Sequence, residues 1–390
     1  MNKLNKMTIP LLSISCGLIV ANLYYAQPLI DLISKDINLK TSTAGLIVTM
    51  TQIGYVIGLI FIVPLSDLME NKKIMITTLA LALIGLLIIT ISHQSLLLLF
   101  GSAILGIGSV TAQIIVPYGA SMSEANERGK TVGTIMSGLF LGILFSRPLS
   151  SLIATFNSWR LVYALSALII LTVIILIFTL LPKRQVNTQL SYSKVIRSLG
   201  QILIHTPILR RRAIYQAALF GSFSIFWTVT PLWLKDHYNL TQGQITLFTL
   251  LGVGGAIGSP IAGRLADKGY TRALTGVAIV LVSLSFLITH MGSTGNISLI
   301  MFCISAVLLD TFVSFNLVLG QQQIYSLGDE LRGRLNGLFM ALFFIGGAIG
   351  SAIGTWAYTK GQWNLSSTIA ITVLIITIVY YSTEYLPKKH

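Results

Sequence analysis

"GVGGAIGSPIAGRLADKGYTR", residues 252–272, decides how this chain is read. Its opening glycines invite comparison with a dinucleotide-binding loop, yet they lie within an apolar run with no strand–helix–strand context, where such a loop has no meaning. The stretch has a counterpart in the first half of the chain, "QIGYVIGLIFIVPLSDLMENK", residues 52–72. At an offset of 200, Gly54, Ile57, Gly58, Leu65, Asp67 and Lys72 meet Gly254, Ile257, Gly258, Leu265, Asp267 and Arg272. Glycines and leucines match cheaply, whereas a matched carboxylate and a matched cation do not. A second register, offset by 204, sets Arg128, Gly129, Lys130, Gly133, Met136, Gly142 and Trp159 against Arg332, Gly333, Arg334, Gly337, Met340, Gly346 and Trp363. The chain repeats itself once, a property that defines many transporter folds.

Composition sets the solvent. Of 390 residues, 54% are hydrophobic and 10% charged, with a mean hydropathy of +0.81, whereas soluble domains carry about 25% charged residues. Apolar runs of about 20 residues recur, each long enough to cross the bilayer as a helix. Backbone polar groups in lipid must be satisfied internally, so an all-α polytopic bundle is expected. Hydropathy and turn signals place twelve spans, at 9–33, 44–65, 74–92, 96–121, 131–155, 159–181, 213–234, 244–265, 273–292, 297–322, 335–357 and 365–386. The resulting division is an N-terminal six-helix bundle over 1–181, a polar cytoplasmic linker over 182–212 and a C-terminal six-helix bundle over 213–390.

A net charge of +14 suggests nucleic acid until the cations are placed. Of the 26 lysines and arginines, one set of loops holds Lys35, Lys40, Arg160, Lys235 and Lys360, Arg147 lies inside a helix, and all the others fall on the opposite side. Basic residues accumulate on the cytoplasmic face, so both termini are expected inside and nucleic acid is not expected as a partner. "RRR" at 210–212 reads as an anchor at anionic headgroups. The amino-terminal apolar run continues through "ANLYYAQPLIDLI" without a cleavage site and is read as a retained first helix. Cys16 and Cys303 form neither a disulfide framework nor a metal spacing.

The loop "GRLADKG", residues 263–269, resembles the signature loop of the major facilitator superfamily, found after its second and eighth spans. The first-half copy keeps Leu65, Ser66, Asp67 and Lys72 but has Val63 and Glu70 at positions usually glycine. "NLYYAQPL", "YQAALFGSFSIFWT" and "IYSLGDELRGRLNGLFMALFFIGGAIGS" resemble a bacterial branch related to the twelve-span drug:proton antiporters, over nearly the whole chain. The resemblance implies a twelve-helix fold in two halves, a monomer in the bacterial cytoplasmic membrane, and a cavity lined by spans one, four, seven and ten. It also implies that Asp67 and Asp267, with Lys72, Arg264 and Arg272, act as conformational latches.

Candidate site residues follow from what should not be in a membrane helix. Asp310 interrupts the apolar run in "LLDTFVSF", residues 308–315, and shares a helical stripe with Ser314 and Gln321. A carboxylate at that depth can carry a proton, neutral in one state and charged when water reaches it in another. A structural carboxylate bonded to hydroxyls or to Arg147 is the competing reading. Arg147, in "SRPLSS", is costly in lipid unless it faces a cavity or a partner; Asp31, Asp310, a substrate anion or the outer headgroups could serve. Span one offers Asn22 and Tyr25 on one stripe and Tyr24, Gln27 and Asp31 on another. Span seven offers Gln216, Phe220, Phe223 and Trp227, and span four Gln113. Rings with a few amides suit a semi-apolar small molecule.

An enzyme is not expected: no HExxH or GxSxG occurs, and the histidines lie in loops, near span ends or at the terminus. No phosphate-binding loop of the ATPase type is present, so no cofactor is expected and the proton is the expected coupling ion. The leading expectation is a secondary transporter that exports a small organic molecule in exchange for protons. A proton-coupled importer and a passive facilitator or sensor are the alternatives.

Overall fold

The computed structural model describes residues 8–124, 127–183, 191–291, 296–327 and 332–385. Lys3, Lys6, Arg184, Lys388 and Lys389 of the inner-side cations lie outside the described residues, as do the side chains of Arg128, Asp267 and Arg332. Among the described residues there is no strand. Nine helices among the described residues are long and apolar enough to cross a membrane. The last of them, Arg332–Ser382, is two helices joined at Gly361 and Gln362, where φ of Gln362 turns positive, at 50°. Two further crossings, spans one and eight, are built from broken helices. With these the architecture agrees with twelve spans in two halves of six.

The broken spans have local causes. Span one starts as the helix Thr8–Ala21 and resumes as Ile30–Asp36. Between them the Asn22 amide donates to the carbonyls of Leu18 and Ile19, at 3.0 and 3.1 Å, satisfying acceptors that a helix end leaves open. Pro28, with no N–H to give, then sits in the 3-10 turn Gln27–Leu29. Span eight breaks in the same way: Gln242–Thr249, opened by a Thr241–Gln244 capping box, passes through the 3-10 turn Leu250–Val253 into Gly254–Asp267. Span two is Leu46–Phe61, span three Asn71–Ile91, span four Ser95–Ser109 continued by Thr111–Met122, span five Arg128–Phe156 and span six Trp159–Leu180. Span seven is Pro207–Tyr238, span nine Thr271–Ile288 and span ten Asn296–Tyr325. The helix of span seven therefore starts within the stretch read as linker, which itself contains a helix, Tyr192–His205.

Packing repeats as the sequence does. In the first half span one lies on span five, and span four on spans two and three; in the second, seven lies on eleven, and ten on eight and nine. Between the halves, two meets eleven and five meets eight. Raising each first-half number by six reproduces the second-half pattern. The one–five and seven–eleven contacts are so close that side chains would block them. A Cβ on Gly142 would stand 2.1 Å from the Gly17 carbonyl oxygen, and one on Gly350 2.2 Å from that of Gly221.

Candidate functional site

Between the halves lies a cavity of about 740 Å³. Its lining runs from Ser66, Asp67 and Arg334 at one end past Tyr55, Gln113, Gln216 and Phe220 to Tyr24, Phe223, Gly252 and Asp310. The opposite end is shut by bonds that cross from one half to the other. Asp31 pairs with Lys235, and with Lys35 at 3.0 Å. Gln242 donates to the Pro28 carbonyl at 3.2 Å and to Ser151 at 2.7 Å, and Thr246 donates to Ser151 at 2.8 Å. Along the two–eleven seam Thr49 and Ser351 share a bond of 2.7 Å, and the Gly45 amide donates to Thr355 at 3.2 Å.

At the deep end of the cavity sits a charge pair that joins span five to span ten. Arg147 Nη2 donates to Asp310 Oδ1 at 3.3 Å, and both side chains are almost wholly buried, at 2% and 5% exposure. Trp227 Nε1 donates to the other carboxylate oxygen at 2.7 Å. The guanidinium carbon lies 4.2 Å from the centroid of Trp227, 5.0 Å from that of Phe223 and 5.8 Å from that of Tyr24, a three-sided aromatic box that favours a cation. Gly252, in the 3-10 break of span eight, makes room for the pair: a Cβ there would stand 2.9 Å from Arg147 Nη1. Arg147 Nε has no partner among the described residues, so its donors are not exhausted.

The sequence-derived candidates separate. Tyr24, Gln113, Gln216, Phe223, Asp310, Ser314 and Gln321 line the cavity. Arg147 and Trp227 stand behind its deep wall, in contact with Asp310. The alternative partner for Arg147, Asp31, is taken by Lys235 and Lys35 instead. Asn22 turns away from the cavity and accepts a bond from Ser166 of span six at 2.7 Å, and Tyr25 is not among the lining residues, because the helix unwinds at this point and breaks the expected stripe. Gln27 is wholly buried in the 3-10 turn, with neither amide atom partnered among the described residues.

The residues read as latches also part company. Asp67 lies 3.9 Å from Arg334 of span eleven, across the mouth of the cavity. Lys72 does not join it: its ammonium donates to the Leu181 carbonyl at 2.8 Å. Arg264 is exposed, and the side chain of Asp267 is outside the described residues. Arg272 pairs with Glu384 at 3.5 Å and lies 3.9 Å from the centroid of the Tyr385 ring. Glu384 also holds Arg212 at 3.3 Å, so this member of the 210–212 cluster is buried in the protein rather than presented to headgroups.

Sequence reasoning passed over Tyr55, Tyr325 and Asn336. They form a polar belt with two candidates it did find. Gln113 Nε2 donates to Tyr55 Oη at 3.1 Å, and Asn336 accepts from Tyr325 at 2.9 Å and from Gln321 at 3.2 Å. The available signal was two tyrosines and one amide on helices that line the cavity.

Two pseudo-equivalent six-helix halves around a central cavity, with a charge pair buried where they meet, define a multi-pass membrane transport protein. A sequence profile described as Major Facilitator Superfamily matches residues 12–324 and, in a second match, 213–390, and the chain belongs to that superfamily. It is 38% identical over 380 residues to the uncharacterized transporter YgaY of Escherichia coli, covering 96% of each chain. It is 24% identical over 388 residues to a probable transporter of Streptomyces coelicolor, covering 98% of this chain and 88% of that one. Among solved structures, the nucleoside transporter NupG superposes with a TM-score of 0.76 at 12% identity, over 98% of this chain and all of that one. The human organic anion transporter MFSD10 superposes at 0.70 with 14% identity, over 96% and 98%. At such identities the two structures speak for the fold alone.

Proposed function

We propose that this protein exports a small organic molecule in exchange for protons by alternating access, with Asp310 as the proton carrier. The observation that carries the reading is the Arg147–Asp310 pair, which ties one half to the other at the blind end of the cavity. With Asp310 charged the pair holds, and the cavity faces the Asp67 end, the cytoplasmic side in this reading. A proton on Asp310 leaves Arg147 buried without its counter-charge. Stripping one partner from a buried pair costs roughly 3–5 kcal/mol, close to the ~5.5 kcal/mol that carries a two-state equilibrium from 1:99 to 99:1. Gain or loss of that proton is thus large enough to bias which end is open. For exchange, the charged protein carries cargo outward, and Asp310 takes a proton from the outside as the cargo leaves. The protonated protein turns inward, and release of the proton inside re-forms the pair, so an inward proton gradient drives the cycle. Both termini lie in the cytoplasm, the protein works as a monomer in the bacterial inner membrane, and no bound cofactor takes part.

Proteoliposomes with an imposed pH gradient, screened against a compound panel, test this. Asp310→Asn should abolish accumulation against a gradient while leaving exchange of labelled for unlabelled cargo. An Asn variant that still accumulates cargo with unchanged pH dependence would falsify the assignment.

A further inference from the structure

The charges around the cavity are internally balanced. Arg147 is answered by Asp310 and covered by three rings, and Arg334 is answered by Asp67. At the deep end an ionic cargo would have to displace one partner of the Arg147–Asp310 pair and leave it uncompensated away from water, which is expensive; at the mouth Arg334 already faces Asp67. What the cavity offers freely is different. One wall is a cluster of rings: Phe343 stacks on Phe344 at 4.4 Å between centroids, Phe220 meets both edge-on at 4.8 and 5.2 Å, and Tyr55 is tilted against Phe344 at 4.7 Å. Beside it runs the polar belt, whose weakest link is the one that crosses the cavity. Asn336 Nδ2 of span eleven reaches Gln113 Oε1 of span four at only 3.5 Å, the outer limit of a hydrogen bond. Each amide carries a donor and an acceptor side by side.

We infer that the cargo is an uncharged, flat, amide-bearing ring compound, whose adjacent donor and acceptor replace the Gln113–Asn336 contact while its face lies on Phe344. This rests on the transport reading above and names its substrate class. Insertion between the two amides exchanges one long bond for two good ones, one to each half, so cargo and the rocking of the halves are linked by Gln113 and Asn336. The ring follows from a wall of aromatic edges and faces, against which another ring packs favourably, and neutrality from the absence of an unanswered charge among the described lining residues.

Three probes of one shape separate the possibilities: 2-naphthamide, 2-naphthoate and 2-naphthylmethylammonium, titrated calorimetrically into purified protein in detergent. The amide should bind at least about tenfold more tightly than either ion, since a lost or unpaired polar contact is worth on the order of 1.5 kcal/mol. Gln113→Leu and Asn336→Leu should each weaken the amide by about tenfold, and Tyr55→Phe, which keeps the ring wall, should weaken it less. Equal or tighter binding of either ion, binding of the amide that ignores both leucine variants in folded protein, or no binding of any probe overturns the inference. The titration needs no proton gradient, so it fails or succeeds independently of Asp310→Asn in proteoliposomes.

Discussion

The two ends of the molecule are built to different standards. At the shut end the halves are joined by Asp31 to Lys235, by Gln242 and Thr246 to Ser151, and by the Thr49–Ser351 and Gly45–Thr355 bonds of the two–eleven seam. At the open end the described contacts across the cavity are long: Asp67 to Arg334 at 3.9 Å and Gln113 to Asn336 at 3.5 Å. Short bonds at one end and stretched ones at the other show which face the lever has closed. Each end uses charge, yet the charges at the shut end are partly exposed, whereas the Arg147–Asp310 pair between the ends is buried. The end contacts are therefore individually modest, and the central pair is the heavy term.

The contrast can be broken most strongly at that pair. Arg147→Leu should destabilise the fold or the observed conformation by roughly 3–5 kcal/mol, because Asp310 is left buried without its cation. Thermal unfolding in detergent should show it, and the double variant Arg147→Leu with Asp310→Leu should recover much of the loss. The next largest effect is expected at Gly45, where a Cβ would stand 2.2 Å from the Ser351 carbonyl oxygen. Gly45→Val should prise the shut end apart, and spin-label distances across the two ends should lengthen there and shorten at the Asp67 end. If they do not move, the two–eleven seam is not part of the gate.

Smaller effects should come from the charged contacts at the rims. Lys235→Gln removes a partly exposed pair, worth about 0.2–1 kcal/mol, and should shift the same distances toward the form open at that end by a few-fold in population. Arg334→Gln, which removes the 3.9 Å contact, should change the populations least. An effect at Arg334 larger than at Lys235 would mean that the open end is held more firmly than its geometry indicates.

Much of the fold was legible because lipid leaves a chain few options: apolar length gave the crossings, and matched charges at 67 and 267 gave the duplication. Asp310 and Arg147 were legible for the same reason, each being costly where it stands. Which acid Arg147 would choose was not legible, since Asp31 and Asp310 differ only in how spans one and ten are turned toward span five. Asn22 and Tyr25 were misplaced by extending an ideal helix through residues 22–29, where the backbone unwinds. Tyr55, Tyr325 and Asn336 looked like ordinary packing, because a single amide or phenol on an apolar stripe acquires meaning only when its partner on another helix is known. The burial of Arg212 depends on Glu384, far along the chain, and no local pattern announces it.

Where Gly17 meets Gly142 and Gly221 meets Gly350, main-chain atoms alone set the spacing of the helices within each half. The scaffold owes little of its shape there to the side chains that face the cavity. Rings and amides such as Phe344 and Gln113 can then be exchanged through descent without rebuilding the chassis, and relatives with one architecture are free to diverge in what they carry.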